Sequence, residues 1–245
     1  MKKILFTFII SLLSVLSLSA QGKIYAVLVG VSEYEQSDKN LNYCHRDAIA
    51  MYELLKKHTS SDKMVLLTDR QAKHDNIIFC TNQLFRQAKP EDIVIFHFSG
   101  HGSEIHLASY DKALYYTELQ KIFKKCKVKR KLLFVDACHS GALRQPGNQT
   151  TSTNINPGKN VLLFLSSRSN QLSSEWSDLK NGIFTYFLLA GLNGGADADK
   201  DGYITAKELF NFVNPKVKER SKGEQVPVMW GKFDKNMIIL NLKNK

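Results

Sequence analysis

Acidic side chains are scarce in this 245-residue chain: Asp and Glu total 23 against 34 Lys and Arg, a formal charge of +11. Such a surface attracts polyanions by default. The cations are scattered, however. Their one dense run, 121–131 (KIFKKCKVKRK), interleaves apolar residues and reads as the end of an amphipathic helix leading into a strand. No recognition motif accompanies the charge, so nucleic acid is not an expected partner. With 14 Gly and 5 Pro there is no collagen-like composition, and 43% apolar with 23% charged residues excludes disordered and fibrous classes. No internal repeat is visible.

Long apolar runs are absent beyond the first twenty residues. There, Lys2 and Lys3 precede an apolar stretch from Ile4 to Leu18, and Ser19-Ala20 supply small residues. This is the pattern of a signal peptide over 1–20, cut between Ala20 and Gln21. The run is short for a membrane span, and no Cys follows it to carry a lipid. The expectation is an exported chain, periplasmic or secreted, with no membrane partner after signal removal. Residues 21–245 then form one domain, long enough for a sizeable core.

Cysteine is sparse too, at four residues: Cys44, Cys80, Cys126 and Cys138. No C-x-x-C pair exists, which argues against a thiol oxidoreductase. Four cysteines in an exported protein allow two disulfides. Cys80 and Cys126, however, sit in amphipathic patterns where buried free Cys is common. If Cys138 is a working thiol, the remaining three cannot all pair.

What the chain does have is strands alternating with helices. Continuous apolar runs at Ile24–Val31, Asp92–Phe98, Leu132–Val135 and Asn160–Leu165 read as strands buried on both faces. A short strand is expected at Met64–Leu67 and a last one at Met237–Leu242. Helical spacing marks Arg46–His58, Asp75–Ala88, Thr117–Cys126, Phe184–Leu192 and Ala206–Val213, the last ending near Pro215. Repeated β-α-β predicts an α/β fold with a mostly parallel sheet covered by helices. Trp176 and Trp230 fall in loop-like stretches.

Two motifs directly follow buried strands: Ser99-Gly100-His101-Gly102 and Asp136-Ala137-Cys138-His139-Ser140-Gly141. In an open α/β sheet the carboxyl ends of the strands face the ligand crevice. A thiol there needs a base, and imidazole suits neutral pH. Taken singly, His101 is a turn residue and Cys138 a small buried hydrophobe. Together, each at a strand end and each close to glycine, they point to nucleophile and base. The backbone N–H groups of Gly102 and Cys138 are then placed to bind an oxyanion. His97 lies inside an apolar strand and reads as core, and His139 adjoins the Cys and points away from it.

SGHG followed by DACHSG resembles the caspase-like cysteine peptidases, in particular the metacaspase and bacterial caspase-like branch. The resemblance runs from KIYAVLVGVSEY through LNYCHRDA to the strand after the Cys. His101 lies 37 residues before Cys138, and Asp136 stands where caspases carry Gln. The resemblance implies a three-layer sandwich, with Cys138 as nucleophile and His101 as base and acid. It also implies a primary pocket lined by Asp47 and Asp136, and protein or peptide substrates with basic residues. Two carboxylates suit a guanidinium or ammonium, so cleavage after Arg or Lys is expected, not after Asp. Arg46, beside Asp47, would neutralise the site if it pointed inward.

Residues 197–208 match a twelve-position EF-hand loop. Asp197, Asp199 and Asp201 hold positions 1, 3 and 5, and Gly202 holds 6. Tyr203 supplies its carbonyl at 7, Thr205 stands at 9 and Glu208 at 12. Four carboxylates on one loop repel without a cation. Calcium is the expected cofactor, with no organic cofactor; the plainer reading is an acidic turn capping the helix near Thr205. Residues 145–159 form a long polar loop after the Cys, bracketed by Arg144 and Lys159, both candidates for self-cleavage. The alternative to an enzyme is an inactive caspase-fold protein that binds calcium or a partner.

Overall fold

The computed structural model describes residues 22–103, 105–137, 159–166 and 180–243, together with the backbone at 175–176. A six-stranded sheet runs through it in the order β11-β7-β6-β3-β1-β2. Its strands are β1 (Ile24–Gly30), β2 (Met64–Thr68), β3 (Ile93–Ser99), β6 (Arg130–Asp136), β7 (Val161–Leu165) and β11 (Val228–Lys232). All pairs are parallel except β11 with β7.

Strand alternation divides the core in two. Tyr25, Val27 and Val29 point to the face covered by α2 (His74–Phe85) and α3 (Tyr116–Lys125). Ile24, Ala26 and Leu28 point to the face covered by α1 (Cys44–Leu55), α4 (Ile183–Ala190) and α5 (Ala206–Arg220). The result is the expected three-layer α/β sandwich. Burying each large side chain contributes about 1.5–3 kcal/mol. Phe164 is central to the second layer, with its ring centroid 4.9 Å from that of Phe184 and 5.9 Å from that of Phe210.

Several elements differ from the sequence expectation. The helix at 206 runs through Pro215 to Arg220; a proline inside a helix removes one donor, and the apolar stripe of Leu209, Val213 and Val217 holds the rest against the core. The C-terminal strand, β12 (Ile238–Asn241), leaves the main sheet and pairs antiparallel with β10 (Tyr203–Thr205). Trp230 lies in edge strand β11, not in a loop. Trp176 lies in a two-residue strand, β8 (Glu175–Trp176), paired with β9 (Asn181–Gly182). A hairpin of β4 (His106–Ala108) and β5 (Ala113–Tyr115) follows His101.

From β1 the chain moves through α1 to β2 on one side, then through α2 back to β3 on the other. That reversal at the carboxyl ends of β1 and β3 makes a crevice of the kind where α/β sheets bind ligands. No helix among the described residues is long and apolar enough to cross a membrane.

Candidate active site

Sheet register builds the site. Gly30, Ser99 and Asp136 stand in line across the ends of β1, β3 and β6. The ladder continues past the strands, with Val31 N–H donating to Ser99 O and Gly100 N–H to Asp136 O, at 2.9 and 3.1 Å. Gly30 lets α1 approach, because a Cβ there would overlap the Cys44 carbonyl.

His101 lies two residues beyond Ser99 and is half-buried. Its Nε2 is 2.8 Å from the Lys39 carbonyl, which only accepts, so Nε2 carries the proton and Nδ1 is the basic nitrogen. Its backbone N–H donates to the Tyr34 hydroxyl at 2.8 Å, and the two ring centroids are 5.1 Å apart. Gly102 bridges to Leu107 and starts the β4–β5 hairpin. His97 is fully buried, with neither ring nitrogen hydrogen-bonded, and burial drives its pKa down to about 3. It is a core residue, as its place in the apolar strand indicates.

Asp47 and Asp136 meet, both buried. Asp47 belongs to the first turn of α1, yet its carboxylate turns inward. Ser99 Oγ donates to its Oδ2 at 2.6 Å; Asn181 Nδ2 and Gly182 N–H donate to its Oδ1 at 2.8 and 3.1 Å. Asp136 Oδ2 accepts from Thr185 N–H and Oγ1 at 3.1 and 2.9 Å. Burial first, and the Asp136 charge second, push the Asp47 carboxyl up to about 8 against these hydrogen bonds. Arg46 is exposed and does not enter the pocket.

The acidic loop is partly assembled. Carboxylate oxygens of Asp197, Asp199 and Glu208 lie within 4.8 Å of one another. Asp197 Oδ1 is buried without a hydrogen-bond partner. Asp201 stands outside this group, its Oδ1 accepting Tyr203 N–H at 2.7 Å. Gly202, at φ +81, makes the turn expected of position 6. Tyr203 and Thr205 lie in β10, which pairs with β12 where a paired EF-hand would supply a second loop. Glu208 also serves the plainer role: its Oε2 accepts from Thr205 N–H and Oγ1 at 2.9 and 2.6 Å, and Thr205 Oγ1 accepts Glu208 N–H in return, a capping box for α5.

Cys138 and Arg144 lie outside the described residues, as do the signal stretch 1–20 and most of the loop 145–159. Lys159, at the end of that loop, is exposed and bridges to Lys232 beside β7. Among the described cysteines, Cys44, Cys80 and Cys126, no disulfide forms. Sequence reasoning missed the neutral donors around the acids: Ser99, Asn181, Gly182 and Thr185. Ser99 was visible as the first residue of SGHG; nothing in the sequence pointed to the other three.

Residues 23–238 match the family described as Caspase domain. The chain therefore belongs to the caspase-domain family of cysteine peptidases. It is 28% identical over 214 residues to Metacaspase-1 of Mycosarcoma maydis, covering 73% of this chain and 52% of that protein. It is 27% identical over 224 residues to Metacaspase-1 of Schizosaccharomyces pombe, covering 79% and 49%. The chain thus spans about half the length of these relatives. In fold it is similar to Caspase-1 from Spodoptera frugiperda, with TM-score 0.66, 17% identity and 88% of each chain covered. It is likewise similar to a Geobacter sulfurreducens protein, with TM-score 0.67, 19% identity, and 90% and 99% covered.

Proposed function

We propose that this protein is an exported cysteine endopeptidase that cleaves peptide bonds after Arg or Lys. The observation that carries the reading is the meeting of Asp47 and Asp136 at the strand ends from which His101 and Cys138 follow two residues on. A buried pair of carboxylates held by neutral donors is matched by a cation, and a guanidinium fills both.

Chemistry follows from the tautomer. His101 Nδ1 takes the proton of the Cys138 thiol, and the thiolate sulfur bonds to the scissile carbonyl carbon. The developing oxyanion is held by the N–H groups of Gly102 and Cys138. His101 then returns the proton to the leaving amine as the C–N bond breaks. Water, giving its proton to His101, hydrolyses the thioester and restores the thiol.

Calcium at residues 197–208 is the second part of the proposal. Asp197, Asp199 and Glu208 converge, and the orphaned Asp197 Oδ1 is an oxygen a cation would satisfy. When bound, the ion would neutralise repelling carboxylates and stabilise the loop between α4 and β10. Self-cleavage after Arg144 or Lys159 follows from the same specificity.

The deciding experiment is a fluorogenic peptide panel with Arg, Lys and Asp at the cleaved position, with and without calcium, beside Cys138→Ala and His101→Ala. Cleavage after Arg or Lys, abolished by either variant, is expected. Efficient cleavage after Asp contradicts the acidic pocket, and turnover by Cys138→Ala contradicts the mechanism. A folded protein inactive on every peptide favours the non-catalytic, calcium-binding alternative.

A further inference from the structure

His101 takes one hydrogen bond at its carbonyl from Ala108 N–H of β4, at 2.9 Å, and its other two tethers come from one loop, residues 31–43 between β1 and α1. Its Lys39 carbonyl accepts from Nε2, and its Tyr34 hydroxyl accepts the His101 backbone N–H, each at 2.8 Å. The same loop reaches the specificity helix. Ser32 Oγ accepts the His45 backbone N–H at 3.0 Å and lies 2.8 Å from His45 Nδ1, two residues before Asp47. Val31, Ser32 and Tyr34 are buried, but residues 35–40, which carry the Lys39 carbonyl, are exposed, so burial fixes only the first part of the loop.

Besides its burial and the bond from Val31 N–H to Ser99 O, its root is held by one carboxylate. Asp69 Oδ1 accepts the backbone N–H groups of Ser32 at 2.8 Å and Glu33 at 2.9 Å. Asp69 follows β2 and adopts φ +47, a left-handed conformation that non-glycine residues keep where the surroundings demand it. Asn40 secures the middle, its Oδ1 accepting Tyr34 N–H at 2.9 Å, and Leu41 N–H closes the loop on Ser32 O at 2.8 Å. Among the described residues, Asp69 is thus the link between strand β2 and the loop that holds the imidazole.

We infer that Asp69 is a positioning residue for the catalytic base. It does not touch His101. It holds the loop root, so that the Lys39 carbonyl meets Nε2–H and keeps Nδ1 as the proton acceptor. Carboxylate-to-amide hydrogen bonds are among the stronger kind. Without them the root keeps its burial and the Val31–Ser99 bond, but the turn at Ser32 and Glu33 loosens, and the imidazole has a less firmly held partner for Nε2–H. The inference rests on His101 being the base, and the test separates the two.

The rate of Cys138 alkylation by iodoacetamide, assigned by peptide mass, is measured between pH 5 and 9 for the full chain, Asp69→Ala, Asp69→Asn and His101→Ala. Peptide hydrolysis and melting temperature are measured alongside. Asp69→Ala is expected to slow alkylation near neutral pH roughly tenfold and to move its midpoint toward that of an ordinary thiol, about 8.5. It should also lower kcat more than it changes KM. Asp69→Asn, which keeps an oxygen acceptor, should recover most of the loss. An Asp69→Ala profile like that of the unmutated protein, while His101→Ala alters it, overturns the inference. So does equal impairment of Asp69→Ala and Asp69→Asn in step with their melting temperatures. A profile unchanged by His101→Ala overturns the dyad, and this inference with it. If Asp69→Ala does not fold, Asn40→Ala reads the same profile: a shift supports the loop's role, and no shift refutes it.

Discussion

Asp47 and Asp136 meet across a single glycine. A Cβ added to Gly182 would overlap the Asp136 carboxylate and stand 3.2 Å from Asp47 Oδ2. Gly182 N–H donates to Asp47, and three residues on, Thr185 holds Asp136. The start of α4 is therefore the third wall of the pocket. Two buried acids are expensive to hold together, and an arrangement that keeps them so fits a site made for a cation.

Gly182→Ala tests that wall. The backbone at 182, φ −60 and ψ 142, suits alanine, so the added methyl acts on the carboxylates and not on the chain. We expect kcat/KM for Arg substrates to fall at least tenfold, about 1.4 kcal/mol or more, and the melting temperature to drop as well, because the buried carboxylate held by Thr185 must shift. Steady-state kinetics with Arg and Lys peptides check this. Unchanged kinetics would place the pocket elsewhere.

Asp47 also links the site to stability. Its pKa is raised to about 8 by burial and by Asp136. A raised carboxyl stabilises the fold fully below its unfolded pKa, near 3.8, and that contribution is lost as pH rises through 8. The unmutated protein should lose up to ~1.4 kcal/mol per pH unit from this group across that window. Asp47→Asn, which keeps an oxygen for Asn181 and Gly182, should flatten the dependence while weakening cleavage after Arg. Urea unfolding at pH 5.5 and 8.5 measures the difference.

His97 acts in the opposite direction. Buried with both nitrogens unpaired, it stays neutral down to about pH 3. The unfolded chain takes up its proton near pH 6.5, so stability falls between 6.5 and 3, by up to ~1.4 kcal/mol per pH unit. His97→Leu removes both the proton and the unsatisfied nitrogens. Its melting temperature relative to the unmutated protein should rise as the pH is lowered from 6.5 to 4; a constant offset would count against the assignment.

Calcium should raise the melting temperature and chelator lower it, because an ion bound only by the native state stabilises it by mass action. At one hundred times the dissociation constant the gain is about 2.7 kcal/mol. Asp197→Ala combined with Glu208→Ala should abolish the response. Calorimetric scans with and without the ion decide, and an unchanged melting temperature would leave Glu208 only its capping role.

Self-cleavage is read by intact mass. Fragments ending at Arg144 or Lys159 are expected from the unmutated protein and absent from Cys138→Ala. Identical cutting of both proteins, or an active enzyme that stays uncut, would refute it.

The sequence alone determined the layers and the chemistry. Short continuous apolar runs with β-branched and aromatic residues suit a strand covered on both faces, so β1, β3, β6 and β7 were legible, as were the motifs that follow β3 and β6. The EF-hand-like spacing was legible because its carboxylates are local in the chain. Tertiary structure decided what depends on register and on contacts between distant segments. Ser99 lines up with Asp136 only because β3 pairs with β6 in that register. Asn181, Gly182 and Thr185 reach the acids only because α4 packs beside α1. Edge strand β11 and the β10–β12 pair were hidden because short half-buried strands take their stability from partners, not from their own pattern. The tautomer of His101 was hidden for the same reason: its determinant, the Lys39 carbonyl, is a backbone atom that carries no trace in the sequence.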